Sequence, residues 1–463
     1  MRPETELMTM DLKNKTILVL GLGRSGAASA LFFGARGARV KVSDAADTGP
    51  LQAQAANLRR SGVAVELGGH SADFCDDTDL VCLSPGVPHT IAPLQRLRRR
   101  GVPIWGEMEW AARFLERDLV AVTGTNGKTT TTALIGQMLA ASGRRVFTGG
   151  NIGAPLIGFV AAGQPAEVVV AEVSSFQLDT MERLHPRVAV LLNIAADHLD
   201  RYDDMAAYSA AKARIFENQG ARDLSIYNAD DAGVRSIVAT INSRPCPFTH
   251  GAPPPGAPAP LAGAWIDGDR LHCRIEDATL DFNTSRTPLI GVHNRENLAA
   301  AALAALAAGA NATGIQDTID RFEGMAHRME LAGDVDGVRY INDSKATNVA
   351  AVLRALEAFD APIVLLMGGL DKGDQFERIA PVAAGKVKQL ITMGAAAETI
   401  ADALRNSLPV ATAADMIAAL RLADQHAQPG DVVLLSPGCA SFDQYDNYAQ
   451  RGDDFKQQVV RLK

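Results

Sequence analysis

Residues 120–132, VAVTGTNGKTTTT, constrain this chain more than any other stretch. Leu119, Val120 and Val122 read as the end of a buried strand. Gly124, Thr125, Asn126 and Gly127 follow as a glycine-bearing loop, and Lys128, Thr129 and Thr130 open a helix that runs through TTALIGQMLAA. A helix N-terminus entered this way offers free backbone N–H groups and the positive end of its dipole, which suits a phosphate. Lys128 adds a charge, and a threonine hydroxyl can hold Mg²⁺. The spacing is G-x-x-G-K-T, a compressed loop, because Val122 stands where the usual pattern has glycine. ATP or GTP is the expected ligand.

A second glycine loop lies upstream. Residues 16–21 (TILVLG) read as a buried strand and run into Gly21-Leu22-Gly23-Arg24-Ser25-Gly26; a second strand over 38–43 ends at Asp44. This is G-x-G-x-x-G with an acidic residue about 20 positions on, in a strand–helix–strand setting. The physics places a pyrophosphate on the helix N-terminus and a ribose near the acid. UDP satisfies that as well as NAD, so a nicotinamide enzyme stands as a rival reading. A strand at 79–83 ends in Ser84-Pro85-Gly86 and should line the same crevice, since ligands of open parallel sheets sit at strand ends.

Beyond the central loop, strands alternate with helices as a parallel sheet requires. Strands at 145–148, 167–173 and 187–194 place Glu172, Asp197 and His198 at carboxyl ends near the phosphate loop, where acids and histidine could hold Mg²⁺. Residues 208–218 form an amphipathic helix on which Lys212 would ordinarily be a solvated residue. The stretch 251–260 (GAPPPGAPAP) is an irregular loop, and 264–282 carries a hairpin signal around Asp267-Gly268-Asp269. An alanine-rich helix follows through Gly309, with Asn294 as its N-cap. Residues 322–328 (FEGMAHR) read as a hinge. After it, strands at 338–342, 362–367, 387–393 and 431–435 end in polar clusters. Lys345, Lys372 and Ser441 among them suit an anionic, carboxylate-bearing substrate.

The remaining composition excludes some classes. A formal net charge of −8 argues against a nucleic-acid partner. Five scattered cysteines without zinc spacing read as free thiols in a reducing cytoplasm. No apolar run approaches the ~20 residues of a membrane span, and the charged first residues do not read as a secretion signal.

Taken in order, GLGRSG, LSPGVP, TGTNGKTTT, GGNIG, EVSSFQL, NIAADHLDRY, AAKARI, HNRENLAAA, FEGMAHR, INDSKATN, MGGLDKG and LSPGCASFDQYDNYAQRG make the chain resemble the Mur ligases over nearly its whole length, most of all the members that add D-glutamate. The resemblance implies an α/β protein of three domains. A Rossmann-like UDP-substrate domain would span 1–106, a P-loop-type ATPase domain 107–324, and a Rossmann-like amino-acid domain 325–463. It implies ATP-dependent amide formation through an acyl phosphate, with UDP-N-acetylmuramoyl-L-alanine, D-glutamate and ATP as substrates, in a cytoplasmic monomer that enters no membrane.

Carried over by motif, Gly124, Thr125, Asn126, Gly127, Lys128, Thr129 and Thr130 would cradle the ATP phosphates, and Thr129 and Glu172 would hold Mg²⁺. His198 would serve a second Mg²⁺, bridged by Lys212 as a carbamate. Asn294, Asn297, Arg328 and Asp343, with His327 nearby, would surround adenine and ribose. Gly23, Arg24, Ser25, Asp44, Ser84, Pro85 and Gly86 would take the UDP, with Asn151, Ser174 and Gln177 on the muramoyl side. Lys345, Thr347, Lys372, Ser441 and Tyr448 would hold D-glutamate. Ala45 and Ala46 offer a uracil no side-chain hydrogen bond. Other Mur-type ligases, a folylpolyglutamate-synthetase-like enzyme and a regulatory nucleotide module are the alternatives.

Overall fold

The computed structural model describes residues 10–197, 201–251, 262–275 and 278–462, and its named strands fall into three sheets. The first is all parallel, in the order Ala64–Leu67, Arg39–Asp44, Thr16–Leu20, Leu80–Leu83, Ile104–Gly106. Its central strands, Thr16–Leu20 and Leu80–Leu83, are buried on both faces, which explains their unbroken apolar sequence. The order reverses between these two strands, so the glycine loop after Leu20 and the Ser84 turn share one crevice.

The second sheet has nine strands. Asp118–Thr123, which feeds the phosphate loop, lies between Val188–Leu191 and Val168–Glu172. Val146–Gly150 closes one edge; Leu224–Asn228 and Arg244–Thr249 extend the other in parallel. The expected hairpin is present as Gly263–Asp267 and Arg270–Ile275, and Ala278–Asn283 adds a third antiparallel strand. The alanine-rich helix Val292–Ala307 packs on the phosphate-loop helix Lys128–Ala141, with every alanine from Ala299 to Ala305 buried. Small side chains permit that close approach, and the hydrophobic effect holds the two together.

The third sheet runs Glu330–Val335, Val338–Asn342, Val432–Leu435, Ile363–Gly368, Val387–Met393, Val410–Ala413, antiparallel only at its first strand. Arg451, fully buried on the last helix, Tyr448–Val460, ties its strand ends together. Its Nε donates to Ser344 Oγ at 3.0 Å, Nη1 to Gly368 O at 3.2 Å, and Nη2 to Ser344 O and Cys439 O at 2.8 and 3.1 Å.

Two local expectations change. Asn294 is no N-cap: Gly291, at φ 94°, holds that position, and Asn294 lies in the first turn with its Nδ2 donating to Ile290 O at 2.8 Å. The helix expected over 208–218 spans Met205–Ala213 and then tightens into a 3₁₀ turn, Arg214–Phe216; Lys212 on it is buried, not solvated. The proline-rich positions 252–260 and His198 lie outside the described residues.

The first two sheets are joined through helix Glu107–Ala112. Trp110, fully buried, donates its indole N–H to Val81 O in the first sheet at 3.1 Å. Glu109 Oε2 accepts the backbone N–H groups of Glu182, Arg183 and Leu184 at 2.9–3.0 Å. Arg113 faces Glu109 Oε1 at 2.9 Å as a charge partner without the alignment of a hydrogen bond. Glu109→Ala strands three backbone donors and removes one of the two carboxylates facing Arg113, which keeps Glu182 at 2.8 Å. With about 1–3 kcal/mol for each buried group left unpaired, we expect a loss of at least ~3 kcal/mol by chemical denaturation. A change below ~0.5 kcal/mol, the usual size for a surface substitution, would contradict this.

Candidate active site

The phosphate loop is held in shape by its neighbours before any ligand binds. Gly124 (φ 153°) and Gly127 (φ 84°) take conformations that favour glycine. Asn193, at the end of Val188–Leu191, brackets the loop: its Oδ1 accepts Asn126 N at 2.8 Å and its Nδ2 donates to Asn126 O at 3.1 Å. Thr125 Oγ1 accepts Ala195 N at 3.0 Å and lies 3.1 Å from Tyr208 OH. Lys128 Nζ folds back onto Gly124 O and Thr125 O at 2.9 and 2.8 Å. Burial moves the Lys128 pKa below its ordinary value, against an opposing pull from Glu172.

Thr129 and Glu172 come together as their motifs imply. Thr129 Oγ1 donates to Glu172 Oε2 at 2.8 Å, and Asn151 Nδ2 donates to Glu172 Oε1 at 2.8 Å. Arg328, from beyond the central sheet, reaches across to Thr129 Oγ1 at 2.9 Å. No group of three His, Cys, Asp or Glu side chains with metal-binding geometry occurs among the described residues. A hydroxyl and one buried carboxylate are nevertheless what Mg²⁺ takes from a protein when phosphates and waters complete its shell. The donor set therefore fits one Mg²⁺; the site involving His198 lies outside the described residues.

Lys212 is 1 % exposed, donates to Gly124 O at 2.8 Å and lies over the Tyr208 ring at 4.6 Å. Desolvation, followed by the nearby Lys128 charge, pushes its pKa well below the ordinary lysine value, which favours the free amine.

A pocket between the central and last sections is lined by Asn126, Gly127, Thr130, Asn294, Asn297 and Arg328, together with Asp343 and Lys345. Asn297 receives Thr131 Oγ1 at 3.2 Å and donates to Asn294 Oδ1 at 3.2 Å. Asp343 is buried, accepting Met329 N and Ser436 Oγ at 3.3 and 3.1 Å; desolvation raises its pKa to about 7. His327 sits beside this pocket, its carbonyl accepting Lys345 N at 3.0 Å.

In the first crevice, Ser84 Oγ donates to Gly21 O at 3.0 Å, and Gly26 approaches the same carbonyl too closely for a Cβ. Asp44 accepts Leu22 N at 2.6 Å and Ala46 N at 2.9 Å, so it shapes the loop that Gly23, Arg24 and Ser25 continue. Pro85 and Gly86 follow Ser84 at the rim. Ser174 and Gln177 bond each other in a capping box on the short helix Ser175–Leu178. In the last section, Lys345 Nζ rests 3.6 Å over the Tyr448 ring, and burial followed by the Arg328 charge lowers its pKa to about 8. Ser441 is buried, Thr347 is half-buried, and Lys372 is exposed yet close enough for its charge to act on Lys345. Sequence reasoning missed Asn193, Tyr208 and Arg451. Asn193 carried a signal, as a polar residue ending an apolar strand, while the other two are placed by tertiary packing.

Comparison with known proteins gives a consistent result. Family models match residues 15–106 (Mur ligase MurD-like, N-terminal domain), 122–305 (Mur ligase middle domain) and 327–439 (Mur ligase, glutamate ligase domain). A UDP-N-acetylmuramoylalanine–D-glutamate ligase of Desulfosudis oleivorans is 48% identical over 98% of both chains. A protein of the same name from Desulfatibacillum aliphaticivorans is 48% identical over 98% of this chain and 100% of its own. Among solved structures, a pseudomurein peptide ligase type C from Methanothermus fervidus shares the fold at TM-score 0.61 and 20% identity, covering 97% of this chain and 100% of that one. UDP-N-acetylmuramate-alanine ligase of Thermotoga maritima does so at 0.58 and 18%, covering 97% and 100%.

A Cβ added at Gly127 would meet Asn297 Oδ1 at 2.4 Å in a backbone conformation already unfavourable to alanine. With strain of about 1–3 kcal/mol at such a position, Gly127→Ala should weaken ATP binding at least ~10-fold by calorimetry. Affinity retained within ~2-fold would mean that the loop relaxes without cost.

Proposed function

The chain belongs to the Mur ligase family, and we propose that it joins D-glutamate to UDP-N-acetylmuramoyl-L-alanine with ATP, releasing ADP and phosphate. The observation that carries this reading is 48% identity, end to end, to proteins named for that reaction. The reaction would serve peptidoglycan synthesis, and through it cell shape and division, in the cytoplasm, with the enzyme acting as a monomer. Among the described residues no helix is long and apolar enough to cross a membrane. Residues 1–106, 107–324 and 325–463 would be the domains for the UDP-linked substrate, ATP and the amino acid.

A carboxylate is a poor electrophile, so the alanyl carboxylate first attacks the γ-phosphorus of ATP, expelling ADP. The acyl phosphate formed then accepts the D-glutamate amine at its carbonyl carbon. The tetrahedral adduct loses phosphate, and the amine's proton leaves to solvent or phosphate. Lys128 and the loop amides after Gly124 would bind the β- and γ-phosphates, trading the lysine's two carbonyl contacts for phosphate oxygens. Thr129 and Glu172 would hold Mg²⁺, which when bound supplies charge neutralisation at the phosphates. Asn294, Asn297 and Asp343 would hold adenine and ribose, with Arg328 at the boundary to the phosphates.

Lys212 would act as a carbamate. Its neutral amine adds to CO₂ and releases a proton, and the resulting anion would suit a second Mg²⁺ shared with His198. Gly23, Arg24, Ser25, Asp44 and the Ser84 turn would take UDP, with Asn151, Ser174 and Gln177 towards the muramoyl group. Lys345, Lys372, Thr347 and Ser441, beside the Tyr448 ring, would hold the two carboxylates of D-glutamate. The acyl phosphate must be kept from water, so the last domain would close on the central one about residues 322–328.

Phosphate release should require ATP, UDP-N-acetylmuramoyl-L-alanine and D-glutamate together. With D-glutamate, L-glutamate, D-alanine, L-lysine and diaminopimelate offered separately, D-glutamate should win, exceeding D-alanine and L-lysine by at least ~100-fold because a buried ammonium left without its carboxylate costs several kcal/mol; its advantage over L-glutamate rests on the family resemblance alone. Preference for diaminopimelate or lysine would contradict the assignment.

A further inference from the structure

Arg201 touches two loops that the reading above assigns to the UDP-linked substrate, and these loops belong to different sheets. Its Nη2 donates to Val87 O at 3.2 Å, in the turn that continues Ser84-Pro85-Gly86 from the first sheet. Its guanidinium carbon lies 4.0 Å over the ring of Phe176, which sits between Ser174 and Gln177 at the end of Val168–Glu172 in the second. The next residue strengthens the second attachment. Tyr202 stacks on Phe176 at 6.0 Å with 14° between the planes, and its hydroxyl donates to Asp179 Oδ2 at 2.8 Å.

The chain of contacts then continues to the phosphate loop. Tyr202 packs against Tyr208 at 5.4 Å, and Tyr208 OH lies 3.1 Å from Thr125 Oγ1. A line of packed rings thus connects the Val87 turn with the loop that binds ATP, and Arg201 is the member that crosses between sheets.

We propose that Arg201 is a positioning residue for the UDP-linked substrate: it clasps the Ser84–Val87 turn to the Phe176 loop and so fixes the substrate's carboxylate relative to the ATP γ-phosphate. The proposal rests on the substrate reading given above. A planar guanidinium serves this task as an ammonium cannot, because one face stacks on an aromatic ring while an edge hydrogen-bonds a carbonyl. Among the described residues Val87 O takes one of its five N–H donors. The permanent charge also lies beside a crevice built for a diphosphate, which it attracts.

The test is steady-state kinetics of the full chain with UDP-N-acetylmuramoyl-L-alanine, ATP and D-glutamate for wild type, Arg201→Ala, Arg201→Lys, Phe176→Leu and the Ala/Leu double variant. A misplacement of about an ångström can cost ~100-fold, so Arg201→Ala should raise KM for the UDP-linked substrate or lower kcat by at least ~10-fold in total. KM for ATP and the melting midpoint should hold. Arg201→Lys should restore only part of the loss, and the double variant should fall short of the product of the singles, as for residues in contact. Unchanged kinetics with the UDP-linked substrate in Arg201→Ala would overturn the proposal. So would a parallel rise in KM for ATP, or full rescue by lysine. If Arg201→Ala does not fold, the lysine and Phe176→Leu variants decide on the same criteria. A wild-type protein inert towards the UDP-linked substrate would instead strike the functional reading itself.

Discussion

The Gly124 carbonyl accepts two lysine side-chain nitrogens, Lys128 Nζ at 2.9 Å and Lys212 Nζ at 2.8 Å, and the rest of the site depends on that convergence. Two like charges a few ångströms apart repel by roughly 3 kcal/mol at the effective dielectric of a protein. Lys212 is the more deeply buried, and both desolvation and the Lys128 charge press it towards the neutral amine. Lys128 is half-buried, and in the proposed reading a phosphate would replace its two carbonyl partners. In that reading, one lysine would serve the nucleotide while the other would enter a different chemistry.

Two junctions bring the parts of the site together, and they differ in kind. Between the first two sheets one buried apolar cluster is continuous, running from Phe33 and Trp110 to Leu156 and Phe159. It carries the bonds of Trp110 to Val81 O and of Glu109 to three backbone amides, with the part-buried Arg201–Val87 contact beside it. Between the central and last sections the contacts are fewer and more polar. Arg328 reaches Thr129, Arg354 pairs with Glu296 at 3.1 Å, and Asn348 donates to Asp197 at 3.2 Å. Polar contacts of this type exchange readily for water or ligand, whereas buried apolar ones do not. His327 and Met329, on either side of Arg328, also hold positive φ angles of 65° and 47°, an uncommon conformation for side-chain-bearing residues. Two of the four such residues among those described thus flank Arg328, at the end of the segment proposed as a hinge.

The phosphate loop and the upstream glycine loop at 21–26 were legible in the sequence because their constraints are local. A strand, a left-handed glycine and a helix start occupy consecutive residues, and nothing distant is needed to recognise them. Strand ends were legible for the same reason, since 338–342 and 387–393 coincide with Val338–Asn342 and Val387–Met393. One edge strand was not. Glu330–Val335 (ELAGDV) has no sustained alternation and owes its form to pairing with Val338–Asn342. Asn294 misled because its residue type favours caps, while Gly291 and the bond to Ile290 O fixed the helix start earlier. Lys212 looked like a surface residue because its burial depends on the phosphate loop, whose Gly124 carbonyl lies 88 positions away in sequence; Tyr208, one turn earlier on the same helix, covers it from the other side. Arg451 was invisible for the same reason, as its partners are carbonyls of three separate loops.

The state of Lys212 is the point on which the account turns most sharply, and it can be observed directly by NMR of the protein equilibrated with bicarbonate labelled at carbon. One carbamate resonance is expected in the wild-type protein, strengthened by ATP and Mg²⁺ and absent from Lys212→Arg. A wild-type spectrum without that resonance under every ligand condition, or one unchanged in Lys212→Arg, would contradict the account.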